Sequence, residues 1–340
     1  MKKIIVYCTE FILAKRVHIG ILAFVTSFFY LRCIGVTAYH PFIPWVSFFI
    51  VWSAYLKNLN TDVQEDRFNV NVPHGISPQI EARLYRIEKM CPVFYLIALG
   101  LAFAISMRCF VYAFCAMVIF ASYDHKWVPV AVCRRKRLKD FYIVKNTIPP
   151  LGWVFSVAIV PFVASGAVFI PEYLILMVML LLFFIREEIK FDIPDVEGDS
   201  KAGIKTLPNT LGESQTMRII NLINYILTLL LFSTLLALWS GLRIVQFEAL
   251  LKNVFPFLTS FVCNQDFTNV LFEKKSKEYC NIGVLWWSAL LLVYLSVPYP
   301  YNIWVYISFR FVGSFFVQMI ADRYLSPLLS GTRKEGLRDC

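Results

Sequence analysis

The sequence predicts an all-α integral membrane protein built from many transmembrane helices. Of its 340 residues, 58% are hydrophobic and only 16% are charged, and the mean hydropathy of +0.62 is far above the balance of a soluble domain. Apolar stretches long enough for a bilayer core, which needs about 20 helical residues, recur along the chain. Basic loops alternate with short, nearly uncharged turns between these stretches, which is typical of a polytopic protein.

The apolar stretches define nine or ten expected spans. Their approximate ranges are Val17–Thr37, Pro41–Leu56, Cys91–Met107, Arg108–Tyr123, Thr147–Ser165, Val168–Ile185, Ile219–Trp239, Val245–Cys263, Ile282–Leu295 and Ile303–Ile320. The segment at 245–263 is the weakest because it contains Glu248, Lys252 and Asn253, and polar groups are costly inside a bilayer. The count is nine if that segment does not cross.

Lysine and arginine set the expected orientation. The most decisive loop contains the run Arg134, Arg135, Lys136, Arg137 and Lys139, which is very hard to translocate. We therefore expect the N-terminus to be cytoplasmic. The chain 1–340 is expected to form a single domain, with cytoplasmic loops 57–90, 124–146 and 186–218 over one face. The net charge of +10 is spread between apolar segments, so it indicates membrane orientation and not a nucleic-acid partner.

Two sets of polar side chains follow the second and sixth spans on this face. Asn58, Asp62 and Asp66 are spaced four apart, and Asp192, Asp195 and Asp199 are spaced three and four apart. At these spacings the members of each set share one side of a helix. Solvated acids at helix ends are common, but two sets at the same face favour a binding site. Carboxylates are the ligands Mg²⁺ prefers, with phosphate and water completing its octahedron.

Both sets belong to stretches that resemble the two signature motifs of the UbiA superfamily of intramembrane prenyltransferases. The run Asp192-Ile-Pro-Asp-Val-Glu-Gly-Asp199 is similar to the homogentisate prenyltransferase branch, and Gly203–Pro208 with Gly212 is similar to several branches. The resemblance covers about 56–212. In place of the family's usual arginine-proline element after the first motif, this chain has Asn69-Val-Asn-Val-Pro-His-Gly75, which leaves the class of acceptor open.

The resemblance implies a helical bundle around a central cavity in which the aspartates hold Mg²⁺ and an isoprenoid diphosphate. The implied site residues are Asn58, Asp62, Asp66, Asp192, Asp195 and Asp199, and the five aspartates are the implied metal ligands. Negative charge grows on the diphosphate as its bond to the prenyl carbon breaks, so nearby donors would stabilise it. Candidates bordering the same face are Arg67, Tyr123, Lys126 and Lys145, although each basic residue could instead serve only to orient the helices.

The leading functional hypothesis is transfer of a prenyl chain to a small, lipophilic acceptor, most simply an aromatic ring. Transfer to a glycerol phosphate, a chlorophyll-like alcoholysis partner and cyclisation of the prenyl chain use the same chemistry, and the sequence does not separate them. From another class, acids near a membrane also mark ion pathways in cation-coupled transporters. The clustering of the acids at one face and the lack of spans broken by paired Gly or Pro argue against a transporter.

Overall fold

The computed structural model describes residues 16–36, 38–66, 89–124, 128–131, 134–136, 138–169, 171–193, 195–201 and 203–239. Three expected spans, Val245–Cys263, Ile282–Leu295 and Ile303–Ile320, lie outside the described residues. The other expected spans fall within these ranges, apart from the single residues Thr37 and Ile170. They can therefore be compared directly with the helices that are observed.

The described residues are helical apart from one short hairpin and the connecting turns, so the predicted all-α fold class is confirmed. The α-helices are α1 Val17–Cys33, α2 Ile43–Asp66, α3 Cys91–Ile105, α4 Met107–Asp124, α5 Tyr142–Lys145, α6 Ile148–Val154, α7 Val160–Ser165, α8 Pro171–Asp192, α9 Val196–Lys201, α10 Leu207–Leu211 and α11 Glu213–Trp239. A 3₁₀ turn, Leu138–Asp140, precedes α5, and a π-helical turn, Phe155–Ile159, joins α6 to α7.

The hairpin lies in the expected loop 124–146 and pairs β1 Val128–Ala131 with β2 Arg134–Lys136 in antiparallel fashion. Val128 is opposite Lys136, and Pro129 is opposite Arg135. Part of the basic run that was predicted to be a plain loop is therefore the second strand of a small two-stranded ribbon.

Several helices extend past the spans predicted for them. The second span was expected to stop at Leu56, but α2 continues to Asp66. The sixth was expected to stop at Ile185, but α8 continues to Asp192. Hydropathy locates only the apolar part of a helix, whereas backbone hydrogen bonding continues into the polar residues that follow. Both acidic sets are therefore carried by extensions of long helices.

Within the described ranges, one helix, Ile143–Ser165, is long and apolar enough to cross a membrane by length and composition. Three further apolar helices are shorter, namely Val17–Cys33, Cys91–Ile105 and Met107–Tyr123.

Helices α3 and α4 carry small residues inside and large ones outside. Ala98, Ala102 and Ala113 are fully buried, while Leu96 is 67% and Phe103 is 60% exposed. Small residues at helix contacts with large apolar residues facing outward are typical of membrane bundles.

Helices α2 and α8 run in the same direction. Near the start of α8, the hydroxyl of Tyr173 donates to the carbonyl of Ile34, which precedes α2, at 3.0 Å. Further along both helices, the hydroxyl of Tyr55 in the middle of α2 donates to the Glu188 carboxylate near the end of α8 at 2.5 Å. The two acidic extensions therefore leave the bundle at the same end, and α9 packs against α2 there.

The π-helical turn leaves one carbonyl without its usual donor. A π-helix bonds residue i to residue i+5, and the amide of Val160 donates to Phe155 in this pattern. The next carbonyl, that of Ser156, would need the amide of residue 161, which is a proline and has no N–H. The hydroxyl of Ser47 on α2 donates to the Ser156 carbonyl at 2.6 Å instead. This contact ties α2 to the middle of the helix that follows α5.

Candidate active site at the acidic helix ends

The site centres on Lys145, the last residue of α5. Its ammonium lies 3.0 Å from Oδ1 of Asp192 and 2.9 Å from Oδ2 of Asp199. The side chains of both aspartates are 9% exposed, and that of Lys145 is 15% exposed. The structure thus brings together three residues that the sequence singled out from two distant stretches.

The turn after α8 places Asp199 beside Asp192. The amide of Asp195 donates to the carbonyl of Asp192 at 3.2 Å, and the amide of Asp199 donates to the carbonyl of Asp195 at 2.9 Å. The chain then reverses at Gly203, whose φ of +72° lies in the left-handed region that glycine adopts without strain. The amide of Ile204 closes the turn by donating to the carbonyl of Asp199 at 2.8 Å.

A capping box holds the far side of this turn. The Thr206 hydroxyl accepts from the amide of Asn209 at 3.4 Å, and the Asn209 side-chain oxygen accepts from the amide of Thr206 at 2.8 Å. The Asn209 side-chain amide also donates to the carbonyl of Ile204 at 2.6 Å. Reciprocal capping of this kind satisfies the orphan amides at a helix start. The stretch Gly203–Pro208 therefore fixes the backbone of the turn that follows Asp199.

Asn146 is a site residue that the sequence analysis missed. It follows Lys145, is 3% exposed, and its side-chain Nδ2 donates to Oδ2 of Asp192 at 2.8 Å. With Lys145 on Oδ1 and Asn146 on Oδ2, both oxygens of Asp192 are engaged. Its position directly after a candidate lysine was the one sequence signal that could have pointed to it.

The acids outnumber the cations in this turn. Asp192, Asp195 and Asp199 lie within one short segment, and Lys145 contacts two of them. Burial, together with the negative charges of Asp192 and Asp195, raises the pKa of Asp199 to about 7 despite the lowering effect of Lys145. Ionisation of all the carboxylates is therefore unfavourable in this site, and an added cation would stabilise their ionised forms.

A second polar chain, also missed, lies one helical turn further into the bundle. The indole N–H of Trp153 donates to the Tyr55 hydroxyl at 2.9 Å, and Tyr55 donates to Glu188. Trp153 also stacks on Phe184 with ring centroids 4.7 Å apart. Glu188 precedes Asp192 by four residues and so shares its side of α8. That spacing could have identified Glu188 from the sequence, whereas nothing in the sequence indicated Tyr55.

The other side of α8 carries a separate ionic cluster. The Arg186 guanidinium contacts the Glu187 carboxylate at 2.6 Å and donates to the side-chain oxygen of Asn224 on α11 at 2.9 Å. Lys190 lies 3.5 Å from the same carboxylate. Burial alone would raise the pKa of Glu187, but Lys190 and Arg186 lower it below its ordinary value. This cluster joins α8 to α11.

The remaining predicted site residues are placed as follows. The last turns of α2 carry Asn58, Asp62 and Asp66, as expected. The side chain of Asn58 is partly buried, and the side chains of Asp62 and Asp66 are not among those described. Tyr123 is 8% exposed near the end of α4. Arg67 and Lys126 lie outside the described residues. Whether these residues act in the site thus stays a prediction.

Among the side chains that are described, no three acidic, histidine or cysteine groups are gathered as a metal site. The donors that are present nevertheless fit a hard cation. Asp192 and Asp199 supply buried carboxylate oxygens, and Oδ1 of Asn146 is a buried carbonyl-type oxygen that accepts no hydrogen bond from any described residue. Oxygen donors of these two kinds are the protein ligands of Mg²⁺.

Comparison with known proteins points to one family. The model of the UbiA prenyltransferase family matches residues 45–251 of this chain, more than half of its length. No curated protein sequence is matched.

Solved structures of a UbiA homolog from Archaeoglobus fulgidus have the same fold. The structure bound to GPP and Mg²⁺ is 15% identical with a TM-score of 0.58, and the one bound to DMAPP and Mg²⁺ is 14% identical with a TM-score of 0.57. The structure bound to Cd²⁺ is 16% identical with a TM-score of 0.54. Each comparison covers 88% of this chain and 99% of the other. At these identities the similarity establishes the fold.

Proposed function

This chain belongs to the UbiA prenyltransferase family, and from that premise we propose that it is a membrane enzyme that transfers an isoprenoid chain from its diphosphate to a small acceptor. The observation that carries the proposal is the Lys145 group, in which one ammonium lies between Asp192 and Asp199 at the end of the bundle where the acidic end of α2 also emerges. Such a group can bind a cation and an anion side by side.

Asp192, Asp195 and Asp199, together with Asp62 and Asp66, are proposed to hold Mg²⁺. When bound, the metal neutralises charge on the diphosphate leaving group. The A. fulgidus structures bound to Mg²⁺ with GPP or DMAPP support this assignment. The excess of acid over base around Asp199 supports it from this chain's own residues, because a divalent cation would stabilise the ionised carboxylate that burial and the charges of Asp192 and Asp195 disfavour.

Lys145 is proposed to bind the diphosphate. Its ammonium sits on a flexible four-carbon stem, so it can turn from the carboxylates toward a phosphate oxygen once they hold a cation. In the reaction, the bond between the allylic carbon and the diphosphate oxygen breaks, and its electron pair leaves with the diphosphate. A bond forms between that carbon and the acceptor, which loses a proton. Lys145 would stabilise the negative charge where it develops.

The acceptor is proposed to be a small aromatic compound, and the site is proposed to face the cytoplasm within a single domain. The acceptor proposal rests on the amino-acid sequence of Asp192–Asp199, which is similar to that of the homogentisate prenyltransferase branch. The orientation rests on the basic loops, above all the run around Arg134. Transfer to a glycerol phosphate remains a possible outcome of the acceptor test below.

The test is release of pyrophosphate from geranylgeranyl diphosphate by the purified protein in lipid nanodiscs, with and without Mg²⁺. We expect release that depends on Mg²⁺ and falls by at least about 100-fold in Asp195→Asn, because a charged ligand is lost. Glu197→Gln is the matched control, since Glu197 lies in the same segment but is half exposed and, among the described residues, pairs with Lys201 alone in a surface pair at 2.7 Å. Equal activity in all three proteins would refute the assignment.

Acceptor identity follows from the same assay. Homogentisate, 4-hydroxybenzoate and glycerol 1-phosphate are added one at a time, and prenylated product is measured by mass spectrometry. Product from an aromatic acceptor supports the proposal. Product from the glycerol phosphate alone, or a cyclised hydrocarbon without acceptor, would overturn the choice of acceptor while leaving the prenyl chemistry intact.

A further inference from the structure

The orientation of the Asn146 side chain is set by its neighbour. Because a carboxylate only accepts hydrogen bonds, the nitrogen of the Asn146 amide must be the atom that faces Oδ2 of Asp192, at 2.8 Å. The amide oxygen Oδ1 therefore points away from Asp192. The bond to the carboxylate thus determines the direction of this amide.

The amide oxygen is buried in the site with no donor from any residue that the structure describes. The residue as a whole is 3% exposed, so bulk water does not reach it freely. A buried acceptor left without a partner costs stability, and such groups usually point to a partner that the protein is built to receive. The same side chain bonds Asp192, which shares the ammonium of Lys145 with Asp199. This group contains two acidic residues and one basic residue, so its charge favours a cationic partner.

We propose that Asn146 is part of the cation site itself, with its Nδ2 holding Asp192 in place and its Oδ1 serving as an uncharged oxygen toward a divalent cation or the water bound to it. This inference rests on the proposed function, since it adds a residue to the metal site assigned there. The residue contributes in two ways: it fixes the direction of Asp192, and it supplies a donor without adding negative charge to an already crowded group.

The experiment measures cation binding directly, without turnover. Purified protein is titrated with Mn²⁺, with and without inorganic pyrophosphate, and binding is followed by the electron paramagnetic resonance signal of free Mn²⁺ and by the thermal midpoint. Asn146→Ala removes both contacts, and Asn146→Asp keeps an oxygen but replaces the donor to Asp192 by a negative charge. Thr147→Ala is the matched control, because within the described part of the chain the hydroxyl of Thr147 bonds only to backbone carbonyls of its own segment, at 3.1 and 3.3 Å.

We expect Mn²⁺ affinity to fall by about tenfold or more in Asn146→Ala, the scale seen for residues that support metal ligands, and to stay within about twofold of wild type in Thr147→Ala. Asn146→Asp should have a lower thermal midpoint than wild type without metal, because its new charge faces Asp192. It should gain more than wild type when Mn²⁺ is added, because the cation bridges the two carboxylates.

The opposite pattern overturns the inference. If Asn146 only braces the fold, Asn146→Ala will bind Mn²⁺ as wild type does, and Asn146→Asp will lose stability without a larger gain from the metal. If wild-type protein itself neither binds Mn²⁺ nor is stabilised by Mn²⁺ with pyrophosphate, the proposed metal site fails and this inference fails with it. The wild-type titration therefore separates the two failures.

Discussion

Replacing Gly20 by alanine would test how closely α1 and α2 pack. A Cβ atom at position 20 would lie 2.9 Å from Cε2 of Phe48 and 2.9 Å from Cβ of Trp52. The second contact is the more serious, because a Cβ atom cannot move without its helix. Alanine at Gly20 must therefore push the two helices apart.

The size of the effect follows from two opposing terms. Overpacking a tight contact costs about 1–3 kcal/mol, while exchanging glycine for alanine inside a helix contributes about 0.5–1 kcal/mol of stability. Gly100, in the middle of α3, provides the control, because a Cβ added there meets nothing within 4 Å. Gly100→Ala carries only the favourable term. The difference between the two variants isolates the overpacking cost of about 1–3 kcal/mol.

The assay is reversible unfolding of both variants in mixed detergent and lipid micelles, with the thermal midpoint as a second readout. We expect Gly100→Ala to be at least as stable as wild type and Gly20→Ala to be clearly less stable. A Gly20→Ala protein as stable as Gly100→Ala would mean that α1 and α2 do not approach each other as described.

Four further predictions concern hydrogen bonds and charges within the bundle and at the site. Ser47→Ala removes the donor to the Ser156 carbonyl and should lower the free energy of unfolding by about 1–3 kcal/mol; Ser47→Thr should retain most of the stability, and equal losses would contradict the role of the hydroxyl. Tyr55→Phe keeps the ring but removes the acceptor of the buried Trp153 indole N–H and one donor to the Glu188 carboxylate, so a similar loss of about 1–3 kcal/mol is expected in denaturant titrations, and an unchanged midpoint would count against it. Lys145→Met should cost about 3–5 kcal/mol without metal, because it leaves two buried carboxylates uncompensated; a loss that added Mg²⁺ does not reduce would contradict the metal site. Folding raises the pKa of Asp199 to about 7, so its contribution to stability is present below its ordinary pKa near 3.8 and is lost as the pH rises toward 7. Metal-free wild type should therefore lose stability between these pH values, and Asp199→Asn should lose less. Identical pH profiles for the two proteins would refute the shift.

The helical frame could be predicted from the sequence because its signal is local. The four-residue spacing of Asn58, Asp62 and Asp66 predicted one helix face, and α2 does run through all three. The helices run two to three turns past the predicted spans, because hydropathy reports on the solvent around a helix and not on its hydrogen bonds. The extension of α8 to Asp192 is the clearest example.

The partners within the site could not be predicted, because they depend on how distant helices pack. The sequence named Lys145 as a candidate, but only the fold places it between Asp192 and Asp199. Asn146 gave no sign of its role beyond its position after the lysine. Tyr55 meets Glu188 only because α2 and α8 run side by side, which no local pattern encodes.

The central claim, that the acidic ends of α2 and α8 share one metal-bound diphosphate, is tested most directly by locating the metal. A structure determined with Mn²⁺ and a non-hydrolysable thiolo analogue of geranyl diphosphate would identify Mn²⁺ by its anomalous scattering. We expect Mn²⁺ about 2.0–2.3 Å from carboxylate oxygens contributed by both Asp62 and the Asp192–Asp199 segment. Mn²⁺ bound to only one of the two segments, or bound elsewhere with the analogue, would contradict the account.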